Sequence, residues 1–252
     1  MVAAQQYIGQ ATFVASFAVD RLIRYKVEEI ERAFQGVFTA QAVSTNVPDT
    51  GPSSIPRFTL QSGPKQISVS QVTAQLDLNF NEQRKSISNT FLIIEKNFGA
   101  FWNGVCQLKK LDEIKNAGLV LTINTPSQQT REEICARILE RYAKIPIRGT
   151  PANASIQFGF LDEAAHLFNN VSLQHYEVRS GTFTSEKPGT TAIEIDIQTI
   201  PVREQGYETK VDINSRPMEA AKVGTTINLG EVLLGSVKTF ITGWGEEFFA
   251  WQ

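Results

Sequence analysis

The sequence contains few of the residues that carry out most enzyme chemistry. Only two histidines (His166 and His175) and two cysteines (Cys106 and Cys135) occur among its 252 residues. No two of them have the spacing of a metal-binding or redox motif. Glycine patterns that cradle phosphates are missing, as are the GxSxG and HExxH motifs of hydrolases. These absences remove most of the common reaction classes.

Long apolar runs and an excess of one charge are also absent. No stretch of 18 apolar residues occurs, so we expect no membrane-spanning segment. The first residues lack the basic region of a secretion signal. With 24 basic and 26 acidic residues the net charge is −2, which is not typical of a protein that coats nucleic acid. Both cysteines lie in apolar-patterned segments, so we expect a reduced, cytoplasmic protein without disulfides or cofactors.

The periodicity of apolar residues predicts a mixed fold. A content of 42% hydrophobic residues, with 16 phenylalanines, is enough to fill a core. Alternation predicts strands at 11–19, 37–44, Arg57–Gln61, Gln66–Ser70, Thr73–Phe80, Gly118–Asn124, Ala154–Phe160, Asn169–Ser180, Thr191–Ile200 and Gly206–Ile213. Spacings of three and four predict helices at Asp20–Phe34, Asn81–Leu111, Gln129–Tyr142 and Leu229–Phe249. The Pro- and Gly-rich segment 45–56 is predicted to be an exposed, flexible loop.

This order of elements predicts the α+β class rather than a doubly wound sheet. Strands occur in runs instead of alternating with helices, which favours mostly antiparallel pairing. We expect about four helices packed mainly on one face of the sheet, ending in a long C-terminal helix. Gly235, Gly243 and Gly245 weaken that last helix, so close packing of its backbone is expected to hold it. Residues 1–252 are predicted to form one compact domain, with two lobes (1–125 and 126–252) as the alternative.

Three parts of this pattern occur together in a known family. They are an opening strand and helix followed by strand pairs, the central strand GLVLTIN (118–124), and AIEIDIQ (192–198) followed by FITGWGEEF (240–248). In these features the chain resembles an uncharacterised, sporadically distributed family of bacterial proteins of about this length. The resemblance spans most of the chain and implies no function, cofactor or site residue.

One acidic pattern in the last third fits a metal-dependent nuclease. Asp196 lies in an apolar strand, and Glu208 and Lys210 follow as Glu-x-Lys. In such nucleases two carboxylates hold Mg²⁺ while a lysine steadies the attacking water or the phosphate. The same residues also fit the solvated outer face of a hairpin, and the spacing is common by chance.

A second polar group surrounds His175. Residues two apart on a strand point the same way, so His175, Glu177 and Arg179 share a face. Pairing with the predicted strand 191–200 would bring Asp196 opposite them, and a histidine with carboxylates can transfer protons or bind metal. The polar face of an ordinary sheet has the same composition. The remaining histidine and the two cysteines are interpreted as structural residues: His166 as a helix-end histidine, Cys106 and Cys135 as small buried side chains.

Basic residues recur at helical spacing between positions 131 and 148. Arg137, Arg141, Lys144 and Arg148 follow one another at intervals of three or four. Such a stripe fits phosphates of a nucleotide or nucleic acid. Interleaved glutamates also fit a plain solvated face.

Binding is the function that these observations favour. We expect a non-enzymatic binding or assembly protein that recognises a macromolecular partner, with self-association through a sheet edge or the C-terminal helix as one form of it. The alternatives are a Mg²⁺-dependent nuclease or phosphodiesterase using Asp196, Glu208 and Lys210, and a nucleotide- or nucleic-acid-binding module using the basic stripe at 131–148. If the protein has a reactive site, we expect it at the strand pair that carries His175.

Overall fold

A single antiparallel sheet organises the protein. The computed structural model describes residues 6–39, 41–143, 148–180, 199–220 and 228–244. Within them nine strands pair in the order β2-β3-β4-β5-β1-β6-β9-β8-β7. The strands are β1 (Tyr7–Phe17), β2 (Val43–Ser44), β3 (Phe58–Ser62), β4 (Lys65–Val69), β5 (Thr73–Asn79), β6 (Ile114–Pro126), β7 (Ser155–Asp162), β8 (Leu167–Arg179) and β9 (Val202–Asn214). The predicted α+β class with a large antiparallel sheet is confirmed.

Five α-helices accompany the sheet in the described residues. They are α1 (Val27–Phe34), α2 (Ile87–Leu108), α3 (Arg131–Ile138), α4 (Arg216–Ala220) and α5 (Leu229–Thr239). Local capping explains where two of them begin. The Ser86 hydroxyl accepts a hydrogen bond from the first turn of α2, and Thr130 and Glu133 form a reciprocal capping box at α3. Among the described residues, no helix is both long enough and apolar enough to cross a membrane.

The core lies on one side of the sheet, which we call the helix-facing side. Phe13 of β1 stands in register with Leu76 of β5 and Leu119 of β6, and all three are buried. The ring of Phe98 from α2 stacks on Phe13 at a centroid distance of 4.2 Å. Alternate residues of the same strands point to the opposite side, the outer face, where Thr12 and its neighbours are polar. This alternation is the pattern from which the strands were predicted.

The long C-terminal helix predicted over Leu229–Phe249 is wrong. Regular α-helix ends at Thr239, and a π turn follows over Phe240–Trp244. The hydroxyl of Thr239 donates to the carbonyl of Gly235 at 3.0 Å, and Thr242 bonds four residues back in the same way. Such side-chain bonds compete with the helical ladder, and Gly235 weakens it further. Residues 245–249 lie outside the described residues.

The first predicted helix begins later than its sequence pattern indicates. A short 3-10 turn covers Ile23–Tyr25, and α1 starts only at Val27. Asp20, the first residue of the predicted helix, accepts a hydrogen bond from the backbone N–H of Leu22 and forms ion pairs with Lys26 and Lys109. Of the predicted strand 191–200, only the last two residues are described, and they are not in a strand.

The loop 45–56 is tied down more than its composition predicts. The guanidinium of Arg57 is buried, and it donates hydrogen bonds only to backbone carbonyls. The acceptors are Ile55 at 2.7 Å, Gly51 at 3.3 Å, and Pro48 and Pro52 at 3.4 Å. One buried side chain therefore organises the loop.

Candidate functional site

Two of the three residues predicted to form a nuclease site, Glu208 and Lys210, lie on the outer face of the paired strands β8 and β9. In the pairing of β8 with β9, Gln174 lies opposite Glu208 and His175 lies opposite Tyr207. Glu208 and Lys210 therefore point to the outer face, where the Glu208 carboxylate accepts a hydrogen bond from Gln174 at 2.7 Å. His175 points to the helix-facing side. His175 therefore lies on the opposite face from Glu208 and Lys210, and Asp196, on which both predicted sites depend, lies outside the described residues.

His175 does share a face with Glu177 and Arg179. The Arg179 guanidinium donates to Oε2 of Glu177 at 2.6 and 2.8 Å, and Nε2 of His175 lies 3.9 Å from Oε1. Only 7% of the histidine side chain is exposed, and its Nε2 has no hydrogen-bond partner. Burial lowers the pKa of His175, although Glu177 acts in the opposite direction. The histidine is therefore a neutral, enclosed group and not part of a solvent-facing polar surface.

The other three His and Cys residues also have plain structural positions. His166 does not end a helix as predicted; it lies in the turn between β7 and β8 with a positive φ of 51°. Cys135 is buried and Cys106 is partly buried. Burial raises the pKa of both thiols, which disfavours the nucleophilic thiolate. Among the described residues, no three His, Cys, Asp or Glu side chains are grouped to hold a metal ion.

The basic stripe is partly within the described residues. Arg137, Arg141 and Arg148 are exposed, while Lys144 lies outside the described part of the chain. The guanidinium of Arg141 lies 5.9 Å from the ring centre of Tyr142. Arg137 hydrogen-bonds to Tyr207. Burial raises the pKa of the Tyr207 phenol, and the contact with Arg137 offsets only part of this increase. Arg137 therefore has a partner in the protein itself, and phosphate binding by the stripe stays a prediction.

A cluster that the sequence did not reveal lies on the outer face, at the ends of β1, β6, β8 and β9. Its centre is the carboxylate of Glu204. Oε1 of Glu204 accepts hydrogen bonds from the phenols of Tyr7 at 2.7 Å and Tyr176 at 2.9 Å. Oε2 pairs with the guanidinium of Arg84. The Arg84 guanidinium also lies over the Tyr7 ring, 4.7 Å from its centre. We call these four residues the Glu204 cluster.

Irregularities in two strands bring the cluster together. A register shift between Ile8 and Gln10 turns Tyr7 toward the outer face while Ile8 stays in the core. Gly206 lies beside the backbone of Thr125, so closely that a Cβ would collide with its carbonyl. Glycine is therefore required where β6 and β9 approach each other next to Glu204.

Charge states in the cluster suit binding better than proton transfer. Burial raises the pKa of Tyr7 and, more strongly, that of Tyr176, and their bonds to Glu204 act in the same direction. Burial acts against ionisation of Glu204, but the bonds from Tyr7, Tyr176 and Arg84 outweigh it and lower its pKa. The carboxylate is therefore ionised and the phenols are neutral at physiological pH. An efficient general acid or base has a pKa near the working pH, which none of these three groups has.

Two cavities share the loop that carries Arg84. One, of about 250 Å³, is lined by Tyr7, Arg84, Lys85, Pro126 and Glu204. The other, of about 510 Å³, is lined mainly by side-chain amides and charged groups: Gln10, Gln61, Lys65, Gln66, Asp77, Asn79, Asn81, Glu82 and Gln83. We use the name outer-face groove for this pair of separate cavities, the linings of which include consecutive residues of the segment 81–85. Their side-chain amides and charged groups can donate hydrogen bonds to a ligand and accept hydrogen bonds from it.

Sequence reasoning missed the Glu204 cluster because its members come from three strands and a loop. The one local signal is the pair Arg84–Lys85, directly before the helix that begins at Ile87. Comparison of the chain with models of known protein families, with characterised proteins and with solved structures found no match. The resemblance to a bacterial family stated above gains no support from these comparisons.

Proposed function

We propose that this protein binds a polypeptide partner in the outer-face groove, with Arg84 receiving a carboxylate of that partner. The observation that carries the proposal is the way in which Arg84 is held. Its guanidinium is paired with Glu204 and placed over Tyr7, yet 42% of the side chain is exposed. An arginine that is held by contacts within the protein and is still partly exposed to solvent is suited to binding a charged ligand.

Arg84 has donors to spare. A guanidinium carries five N–H donors in a planar fork, and Glu204 occupies one edge of it. Because the side chain is already ordered, binding a ligand to the remaining donors costs less conformational entropy than binding to a free surface arginine. The neighbouring Lys85 lines the same cavity and adds a second positive charge. A carboxylate is the group that fits this pair.

The charges along the groove favour a polypeptide over a nucleic acid. Lys65, Arg84 and Lys85 are balanced by Asp77, Glu82 and Glu204, so the groove has no net charge. Nucleic acid is bound by an excess of positive charge, which this surface lacks. The many amide side chains are matched instead to the N–H and C=O groups of a peptide backbone. This supports the partner-binding function expected from the sequence.

A peptide selection tests the proposal. A phage-displayed library of random linear peptides is panned against the intact protein, and binders are counter-selected on the Arg84→Gln variant. Peptides that survive should be rich in Asp and Glu. In fluorescence polarisation, Arg84→Gln should weaken their binding by about tenfold, since one charge-assisted hydrogen bond is lost.

Arg32→Gln is the matched control, because Arg32 is an exposed arginine on α1 away from the groove. Binding to this variant should equal binding to the original protein. A single-stranded DNA oligonucleotide serves as a competitor and should not displace the peptides. Selection of no peptide, equal binding to Arg84→Gln, or stronger binding of the DNA would each overturn the proposal.

A further inference from the structure

Another cavity, separate from the two that form the outer-face groove, lies on the helix-facing side beneath α5. It has a volume of about 540 Å³, which is within the range of small-molecule sites, roughly 300–1,000 Å³. The apolar part of its wall comes from β7, β8, β9 and the C-terminal helical segment: Phe160, Val171, Ile213, Val232 and Phe240.

Gly235 keeps this cavity open. A Cβ placed on Gly235 would meet no atom of the described residues within 4 Å. Gly230, one of the two glycines in α5, is different, because a Cβ there would lie 2.8 Å from the Trp102 ring. The close backbone packing expected at Gly235 from the sequence is therefore wrong. In the middle of α5, this glycine faces space and not a neighbouring element.

Four polar side chains line the cavity: Asp162, Asn169, Ser236 and Thr239. Asn169 lines the cavity, and its buried Oδ1 has no hydrogen-bond partner. Such an atom is rare in native proteins and calls for a donor. Asp162 also lines the cavity, with one carboxylate oxygen taken up by the backbone N–H of Ala165. Among the described lining residues, none is a lysine, arginine or histidine. The unpartnered Oδ1 of Asn169 therefore favours a ligand with a hydrogen-bond donor, and the Asp162 carboxylate disfavours an anion.

We infer that the cavity beneath α5 binds a small apolar molecule that carries a hydrogen-bond donor, such as a hydroxyl or amine, and no negative charge. The apolar body lies between α5 and the sheet, and the donor faces the acceptors at Asn169 and Asp162. This site is separate from the proposed polypeptide site, so either can fail without the other.

N-phenyl-1-naphthylamine is a suitable probe, because it is apolar and uncharged, has one N–H donor, and becomes fluorescent in apolar surroundings. The probe should bind the intact protein saturably, with one site per chain. Gly235→Leu fills the cavity and should weaken binding by about tenfold or more. Gly235→Ala is the matched control, since it adds one methyl group and should leave the affinity unchanged. Arg84→Gln should also leave it unchanged.

Competition with two ligands of equal chain length tests the polarity of the site. Dodecanol should displace the probe, whereas dodecanoate should not, because its carboxylate would face Asp162. This comparison uses the unaltered protein and does not depend on the folding of any variant. The inference is overturned if the probe does not bind saturably, if a folded Gly235→Leu variant binds it equally well, or if dodecanoate displaces it as effectively as dodecanol.

Discussion

Tyr7 and Tyr176 donate hydrogen bonds to the same oxygen atom, Oε1 of Glu204. Tyr7 is the first residue of β1, whereas Tyr176 lies near the end of β8, and two strands separate them in the sheet. Both phenols are buried, so each needs a partner, and one carboxylate serves both. The Glu204 cluster therefore joins distant parts of the chain as well as holding Arg84.

Replacing Glu204 should destabilise the protein in a pH-dependent manner. Glu204→Gln removes the charge that accepts both phenols and pairs with Arg84, and we expect a loss of about 1–3 kcal/mol in the free energy of unfolding at pH 7. Because folding lowers the pKa of Glu204, its contribution is present above the ordinary value of 4.5 and is lost as the pH falls. Urea denaturation at pH 7 and at pH 3 measures both effects.

Tyr176→Phe is the control for this prediction. It removes one hydrogen bond and leaves the carboxylate charged, so its cost should be about 1 kcal/mol. An unfolding free energy of Glu204→Gln equal to that of the original protein at pH 7 would show that the cluster adds no stability.

The strands could be predicted because their apolar residues alternate with other residues and point to the helix-facing side. Phe13, Leu76 and Leu119 each lie in a clear alternation, and the structure places them in one register. Helix limits were less predictable. The regular part of α5 gives way to a π turn at Phe240, and nothing in the apolar spacing signals this change.

The candidate site could not be predicted, since local sequence patterns do not show which strands are neighbours in the sheet. Tyr176 and Glu204 become neighbours only because β8 pairs with β9 in one register. The same register places His175 on the helix-facing side, because a strand position one residue away from Tyr176 points to the other side of the sheet, whereas Glu208 points to the outer face.

Asp20 is expected to contribute stability that is lost in acid. Burial opposes ionisation of its carboxyl, but hydrogen bonds from Lys109 and Lys26 outweigh burial and lower its pKa from 3.8 to about 2. The contribution is therefore complete above about pH 4 and disappears as the pH falls toward 2. Asp20→Asn leaves Lys109, with only 7% of its side chain exposed, without a counter-charge.

We expect Asp20→Asn to lower the free energy of unfolding by about 2–4 kcal/mol at pH 7. Lys26→Met is the matched control: its ammonium group is more exposed, so its loss should cost less than about 1 kcal/mol. Thermal unfolding followed from pH 7 to pH 2 gives both values. A cost of Asp20→Asn that stays constant over this range would contradict the assignment.

Arg57 should control the order of the loop 45–56. Only 1% of Arg57 is exposed, and its guanidinium donates to four carbonyls of the loop. Arg57→Met should lower the free energy of unfolding by about 2–3 kcal/mol and speed subtilisin cleavage within the loop. Arg24→Met removes an exposed ion pair to Asp49 in the same loop and should change either quantity little. Equal cleavage rates for the two variants would refute the role of Arg57.

Gly104 and Gly99, both in α2, should respond to alanine in opposite ways. A Cβ at Gly104 would lie 2.6 Å from the carbonyl oxygen of Ala33 and equally close to the Phe34 ring, because α1 crosses α2 at this point. Gly104→Ala should therefore lower the free energy of unfolding by about 1–3 kcal/mol. A Cβ at Gly99 would meet no atom of the described residues within 4 Å, so Gly99→Ala should stabilise the helix by up to about 1 kcal/mol. Scanning calorimetry of both variants should give midpoints on opposite sides of the original, and a shift of both in the same direction would show that the contact with α1 does not limit this position.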